Sequence, residues 1–283
     1  MNKRGTVQLF FIVISLLMAI HSWSQPYIDP LQIRYMSALE AKNPVATPFT
    51  HLYVGSDLPI RLKNKMIILL TPYYEQWSLD SADTEHIYPT VKSIAFPAGV
   101  IIPFKDSKWS MTLLPLVKTN GEELFAENTF QYGGAAMAGY QVKEGQKFRL
   151  GVYANKEFFG WFIIPLVGVD WKLSDKDYLF GVLPGRLTYE HKINDRFYSG
   201  ATFRAPTTSY RLANGEFLRL DDQQLSLFVD YYLSKNICVT LEPGFGIFRQ
   251  LRTGVNDDGQ YLVDVDWGDG PFIKLSAAYR LRL

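Results

Sequence analysis

The chain has 283 residues, of which 47% are hydrophobic and 15% aromatic, and its formal net charge is +1. That balance carries no clustered basic surplus, so nucleic acid is excluded as a partner. One cysteine, Cys238, leaves no internal disulfide.

At the N-terminus, Lys3 and Arg4 precede an apolar run over residues 7–20, and Ser22-Trp23-Ser24 supplies small residues at cleavage spacing. The run falls short of the ~20 residues a helical span needs, so residues 1–24 are expected to be a signal peptide cut after Ser24. No cysteine lies near the cut to take a lipid. Residues 25–48 are expected as an N-terminal arm or first strand; residues 31–38 fit a strand, and Asp29-Pro30 fits the start of a short helix. Residues 49–283 are expected as one outer-membrane β-barrel.

From residue 50 onward apolar residues keep one parity. Leu52, Val54, Leu58 and Ile60 alternate with His51, Tyr53, Asp57 and Arg61; Ile94 to Ile102, Trp109 to Val117 and Phe130 to Tyr140 repeat the pattern. Leu225, Leu227, Val229 and Tyr231, then Ile237, Val239, Leu241 and Phe245, do the same. In the final stretch Ile273, Leu275, Ala277 and Tyr279 alternate with Lys274, Ser276, Ala278, Arg280 and Arg282. Alternation of this kind, behind a secretory signal and without a spanning helix, predicts an all-β, antiparallel transmembrane β-barrel in the outer membrane. Leu227, Val229, Leu241, Leu275 and Tyr279 are expected to face lipid.

Short turns alternate with longer polar connections at 78–86, 119–128, 206–222 and 253–270. Counting from Phe49 gives about 12 strands, with 10 to 14 admissible. Adding 31–38 as a first strand and a reversal at Pro184-Gly185 gives fourteen; twelve is the central count. Pro59, Pro72, Pro97, Pro115, Pro165, Pro184 and Pro243 fall inside these strands and are expected near rims or bulges. Trp77, Trp109, Trp161, Trp171 and Trp267 are candidates for interfacial girdles.

The opposite parity defines the lumen. His51, Arg61, Asp230, Cys238, Glu242, Lys274, Arg280 and Arg282 are the lumen-facing candidates, joined by Asp170, Lys172, Arg186 and Glu190. Phe180, Phe228 and Phe248 are expected inside and favour a partly filled interior. No G-x-S-x-G, H-E-x-x-H or Walker motif is present, and none of His51, His86 and His191 stands in a local motif with serine. The reading is therefore not an enzyme, with no catalytic, cofactor-binding or metal residue assigned. Asp257, Asp258, Asp264, Asp266 and Asp269 crowd one loop, but their spacing misses a calcium loop by one residue.

Together with the phrases Ile164-Pro165-Leu166-Val167-Gly168 and Leu183-Pro184-Gly185-Arg186-Leu187-Thr188-Tyr189, this arrangement resembles uncharacterised outer-membrane β-barrel families (domains of unknown function) of the Bacteroidota. The resemblance implies location and fold and supplies no catalytic residue. The expected function is a non-enzymatic barrel, either a small-solute channel or an envelope structural protein. Its expected partners are outer-membrane lipids, lipopolysaccharide, the barrel assembly machinery and a small-molecule solute, with no cofactor. The alternatives are a lipid- or lipopolysaccharide-modifying membrane enzyme and a periplasmic β-barrel lipid carrier whose apolar parity faces inward.

Overall fold

Period-two alternation leaves each strand one apolar and one polar face, and a sheet of such strands can satisfy every edge only by closing on itself. A computed structural model describes residues 26–39, 48–79, 89–255 and 260–283; the expected signal peptide, its cut after Ser24, His86, Asp257 and Asp258 lie outside these. One sheet closes where β1 (Tyr27–Ala38) pairs antiparallel with β19 (Gly270–Arg282), Leu31 opposite Tyr279 and Ala38 opposite Phe272. Tyr27–Ala38 is thus a wall strand and not a short helix.

Several wall strands are broken by kinks. β2 (Phe49–Gly55) continues into β3 (Leu58–Arg61), β4 (Ile67–Leu70) into β5 (Tyr73–Leu79), and β6 (Val91–Ala95) into β7 (Ala98–Pro103). β14 (Phe197–Arg204) continues into β15 (Thr207–Arg211), and β18 (Val263–Asp266) into β19. The unbroken strands are β8 (Trp109–Gly121), β9 (Phe130–Lys143), β10 (Gln146–Glu157), β11 (Gly160–Lys172), β12 (Asp177–Leu183), β13 (Arg186–Lys192), β16 (Phe217–Tyr232) and β17 (Ile237–Gly254). The barrel therefore has fourteen strands. It exceeds the central count of twelve because Tyr27–Ala38 is a strand and the chain reverses at Pro184-Gly185.

Prolines mark three of the five kinks. Pro72, Pro97 and Pro206 sit in the breaks β4/β5, β6/β7 and β14/β15, where no ladder donor is needed. Their carbonyls still accept, from Ser56 N (3.1 Å), Thr71 N (3.0 Å) and Asp222 N (3.1 Å). Pro59, Pro115, Pro165 and Pro243 lie inside strands and not at rims.

The end of the barrel that carries Tyr27 and Arg282 is here the near end. Its turns, residues 62–66, 104–108, 144–145, 173–176, 193–196 and 233–236, are all short, whereas four of the far-end connections (39–48, 80–90, 122–129 and 255–262) are longer. That asymmetry is the one seen in outer-membrane barrels, with periplasmic turns short.

The exterior is apolar. Leu227 is 66% exposed and Leu275 56%, with Val229, Leu241 and Tyr279 exposed beside them, while Ser226, Asp230, Glu242, Lys274 and Arg280 are buried. This is the inverse of a water-soluble sheet and excludes the inward-apolar lipid-carrier arrangement. Trp109 and Trp161 lie on the exposed surface, as girdle residues would. Trp77 and Trp267 do not: both are buried, and the Phe49 ring stacks on Trp267 and lies tilted against Trp77. Phe248 is also misplaced by simple parity. A bulge centred on it (φ 52°) turns its ring outward, 67% exposed, and moves Arg249 and Leu251 inside.

A plugged lumen with a chamber at the near end

Both faces of β15 are buried at Thr208, Ser209 and Tyr210, which a lipid-facing strand never shows. The reason is that the β15–β16 hairpin, whose tip is residues 212–216, turns into the lumen. Arg211 pairs in parallel with Gly121 at the end of β8, and Glu122 N donates to Arg211 O at 3.1 Å. The segment 206–222, expected as a polar loop, is a hairpin carrying an Asn214-Gly215 turn with Gly215 at φ 87°.

One face of the hairpin is apolar. Tyr210, Leu212, Leu218 and Leu220 pack with Met36, Phe49, Trp77, Val91, Leu251, Trp267 and Phe272 into a dry core that fills the far half of the lumen. The other face is polar and hydrogen-bonded. Ser209 Oγ donates to Glu157 Oε2 (2.7 Å) and accepts from Phe158 N and Gln131 Nε2, both at 3.0 Å. Lys118 Nζ donates to Glu157 Oε1 at 2.8 Å, and Asn120 Nδ2 donates to the Ser209 carbonyl at 2.9 Å. His51 belongs to this plug: its Nε2 is 3.2 Å from Glu75, which also accepts from Tyr210 Oη at 3.0 Å, and its ring stacks on Trp77.

A second network runs down the lumenal face of β1, β13, β14, β16, β17 and β19. Arg280 holds Asp29 through two bonds (2.6 and 2.9 Å) and Asp230 through a third (2.5 Å). Arg282 grips Glu190 (2.5 and 3.0 Å), donates to Tyr232 Oη, and lies 3.6 Å above the Tyr198 ring. Lys274 donates to Glu242 at 2.8 Å, and Ser226 donates to the same carboxylate at 2.6 Å. Cys238 is fully buried beside Tyr198 and Tyr232. Phe228 lies opposite Gly200, where a side chain would meet its ring, and Phe180 is buried against Tyr27.

Between the plug and the near end the lumen opens. A cavity of about 270 Å³, open at its mouth, is lined by Arg61, Lys65, Lys108, Lys147, Arg149 and Asp170 together with Ile67 and Ile101. Arg149 and Asp170 form an ion pair in its wall. At the rim, outside the span, the Lys172 ammonium donates to Asp175 (2.7 Å) and holds that carboxyl below the usual range. Sequence parity marked Arg61 and Asp170 as inward but not the chamber they share.

The two described histidines, His51 and His191, bond through their rings to carboxylates, Glu75 and Asp177. On the outer face, Ser174 Oγ and His191 Nδ1 both bond to Asp177, at 2.5 and 2.7 Å. A relay would need serine on the far nitrogen of histidine, with carboxylate on the near one. No cluster of metal ligands occurs among the described residues. Of the acidic loop, Asp264 accepts from Arg252 (2.9 Å), Asp266 from Gly268 N (2.9 Å) and Asp269 from Arg249 N (3.3 Å).

A sheet closed at the β1–β19 seam, an apolar exterior and a charged lumen define a transmembrane β-barrel of the outer-membrane class. No family model and no curated protein matches the chain. Among solved structures it is similar to the NanC porin, with a TM-score of 0.40 at 11% identity over 89% of this chain and 100% of that one. It is also similar to the outer membrane phospholipase A from Escherichia coli (TM-score 0.35, 11% identity, 91% and 98% covered). A TodX monoaromatic hydrocarbon channel mutant gives 0.36 at 8% identity, covering 92% and 91%.

Proposed function

We propose that the protein is a non-enzymatic outer-membrane barrel that passes a small solute and whose far half is shut at rest. The observation that carries this reading is the cationic chamber lined by Arg61, Lys65, Lys108, Lys147 and Arg149 at the near end, in a barrel whose far half is filled by the in-turned β15–β16 hairpin. A purely structural barrel has no use for a lined, open chamber, whereas a conduit needs one on at least one side of its gate. In this reading the short near-end turns and the chamber face the periplasm, the apolar band meets outer-membrane lipid, lipopolysaccharide surrounds the far half, and the barrel assembly machinery is the inserting partner.

Planar-bilayer conductance tests it. Wild-type protein is expected to show rare, small openings, and Leu220→Asn, which wets the dry core, more frequent ones. Absence of current from both, in protein that remains folded, overturns the conduit. Fatty-acid release from phospholipid or lipopolysaccharide by the purified protein would favour the enzyme instead.

A further inference from the structure

The wall of this barrel is incomplete at one place. β12 and β13 have 7 residues each, so β11 pairs with β12 only over Val167–Lys172. Gly160–Leu166 has β10 on one flank and no strand among the described residues on the other. The notch is framed below by the Pro184-Gly185 tip, where Ala205 N donates to Gly185 O at 3.4 Å, and at the far end by the Ser209 contact to Phe158. Its second flank is β15, which has left the wall for the lumen.

An unpaired strand edge inside hydrocarbon is costly, so a notch here needs something to do. Its lumenal lining is apolar: Phe162, Ile164 and Leu166 share the inward parity of β11, and Val182 continues it on β12 opposite Gly168. Next to Val182, across β12–β13, stands Arg186, and opposite Arg186 stands Arg204. Arg34 lies within electrostatic range of Arg204 from across the lumen. Against these three cations stand Asp57 and Glu242, and Glu242 is already held by Lys274 at 2.8 Å, with Arg204 no nearer than 4.0 Å. The Nε atoms of Arg34 and Arg204 are buried without a hydrogen-bond partner among the described residues. Three guanidinium groups facing two carboxylates, with two of their donors left unbonded beside an apolar lining, point to an anionic ligand.

We infer that the notch is a lateral portal through which a single-chain anionic amphiphile, of the chemistry of a fatty carboxylate, passes between the bilayer and the lumen, its tail along Phe162, Ile164, Leu166 and Val182 and its head at Arg34, Arg186 and Arg204. The inference rests on the solute-passing reading and names its route and substrate class. The head group takes charge-assisted hydrogen bonds that the protein leaves unmade, and the tail covers the apolar lining.

Two measurements on the full mature protein test it, independently of conductance. In proteoliposomes, Ile164→Cys is expected to react about tenfold or more faster with a membrane-soluble pyrene maleimide than with a sulfonated maleimide from water, the buried Cys238 of the parent serving as the unreactive control. In nanodiscs, dodecanoate is expected to bind about tenfold more tightly to the parent than to Arg186→Gln/Arg204→Gln, while dodecanol binds both alike. Removing two like charges that face each other should leave folding intact. Faster labelling by the sulfonated reagent, or protection from both until unfolding, overturns the portal; equal dodecanoate binding by parent and variant overturns the anionic head site. Conductance that persists while these fail would leave the conduit standing and the lateral route rejected.

Discussion

Ser209 and Glu157 are joined twice, the serine hydroxyl at 2.7 Å and its amide at 3.2 Å both donating to the same carboxylate oxygen. The other oxygen of Glu157 takes Lys118 at 2.8 Å, so one buried carboxylate fastens the in-turned β15 to β8 and β10. Glu157→Leu strands a buried ammonium and should cost about 3–5 kcal/mol. The double variant Glu157→Leu/Lys118→Met should recover much of that loss, because the pair is then replaced by packing. Reversible urea unfolding in detergent reads both. If the double variant is no more stable than the single one, the pair does not bear the plug.

Lipid and lumen faces are separable at two neighbouring alanines of β9. Ala136 lies opposite Val152 and Leu113 on the exterior parity, whereas Ala135 lies opposite Tyr153 and Leu114 on the lumenal one. Ala136→Arg near the midplane should cost about 2–4 kcal/mol, as should Leu227→Arg, and Ala135→Arg clearly less. Ser226→Arg is a poor control: Ser226 is 3% exposed and bonded to Glu242, so it would be destabilising for reasons of packing. Equal losses at 135 and 136 would contradict the face assignment.

How far the fold could be read from the chain depended on whether alternation was uninterrupted. Along β16, β17 and β19 every second residue from Leu225 to Leu233 and from Ile273 to Tyr279 is apolar, and a period of two admits one face assignment. The inward hairpin broke that logic, since Tyr210, Leu218 and Leu220 are apolar because they face the far wall and not lipid. Asn214-Gly215 was the available turn signal, obscured by the surrounding Arg211, Glu216, Arg219 and Asp221. The Phe248 bulge left no signal, because Ile247 and Leu251 keep one parity in sequence while occupying opposite faces. Of the lumenal residues, each charge was visible singly. Which carboxylate meets which cation was not, because Asp29, Asp230 and Arg280 converge from three separate strands.

That convergence makes Arg280 a clasp on the closing seam between β1 and β19. Arg280→Ala leaves Asp29 and Asp230 facing each other in a buried site and should cost about 3–5 kcal/mol. Arg280→Lys should restore little, since an ammonium cannot make the two-bonded contact to Asp29. The readout is the temperature at which the compact form is lost on unheated gels. Retention of the parental temperature by Arg280→Ala would show the seam held by its backbone ladder alone.

Cys238 reports on the hydration of the lumen at the level of that clasp. It lies opposite Tyr232 on β16 and Ala278 on β19, fully buried, with Tyr198 closing over it. A thiol reacts through its thiolate and only where a reagent can reach it, so a small charged methanethiosulfonate should leave folded protein unlabelled and modify it on denaturation. Tyr198→Ala removes the covering ring and should speed labelling by about tenfold or more if the tyrosine is the barrier, while leaving the Lys274–Glu242 pair in place. Rapid labelling of the parent would mean a water-filled lumen at this near-end depth and a Tyr198 ring that does not cover the thiol. Labelling by a membrane-soluble maleimide alone would instead place the thiol on the lipid side, which the pairing of Cys238 with Tyr232 forbids.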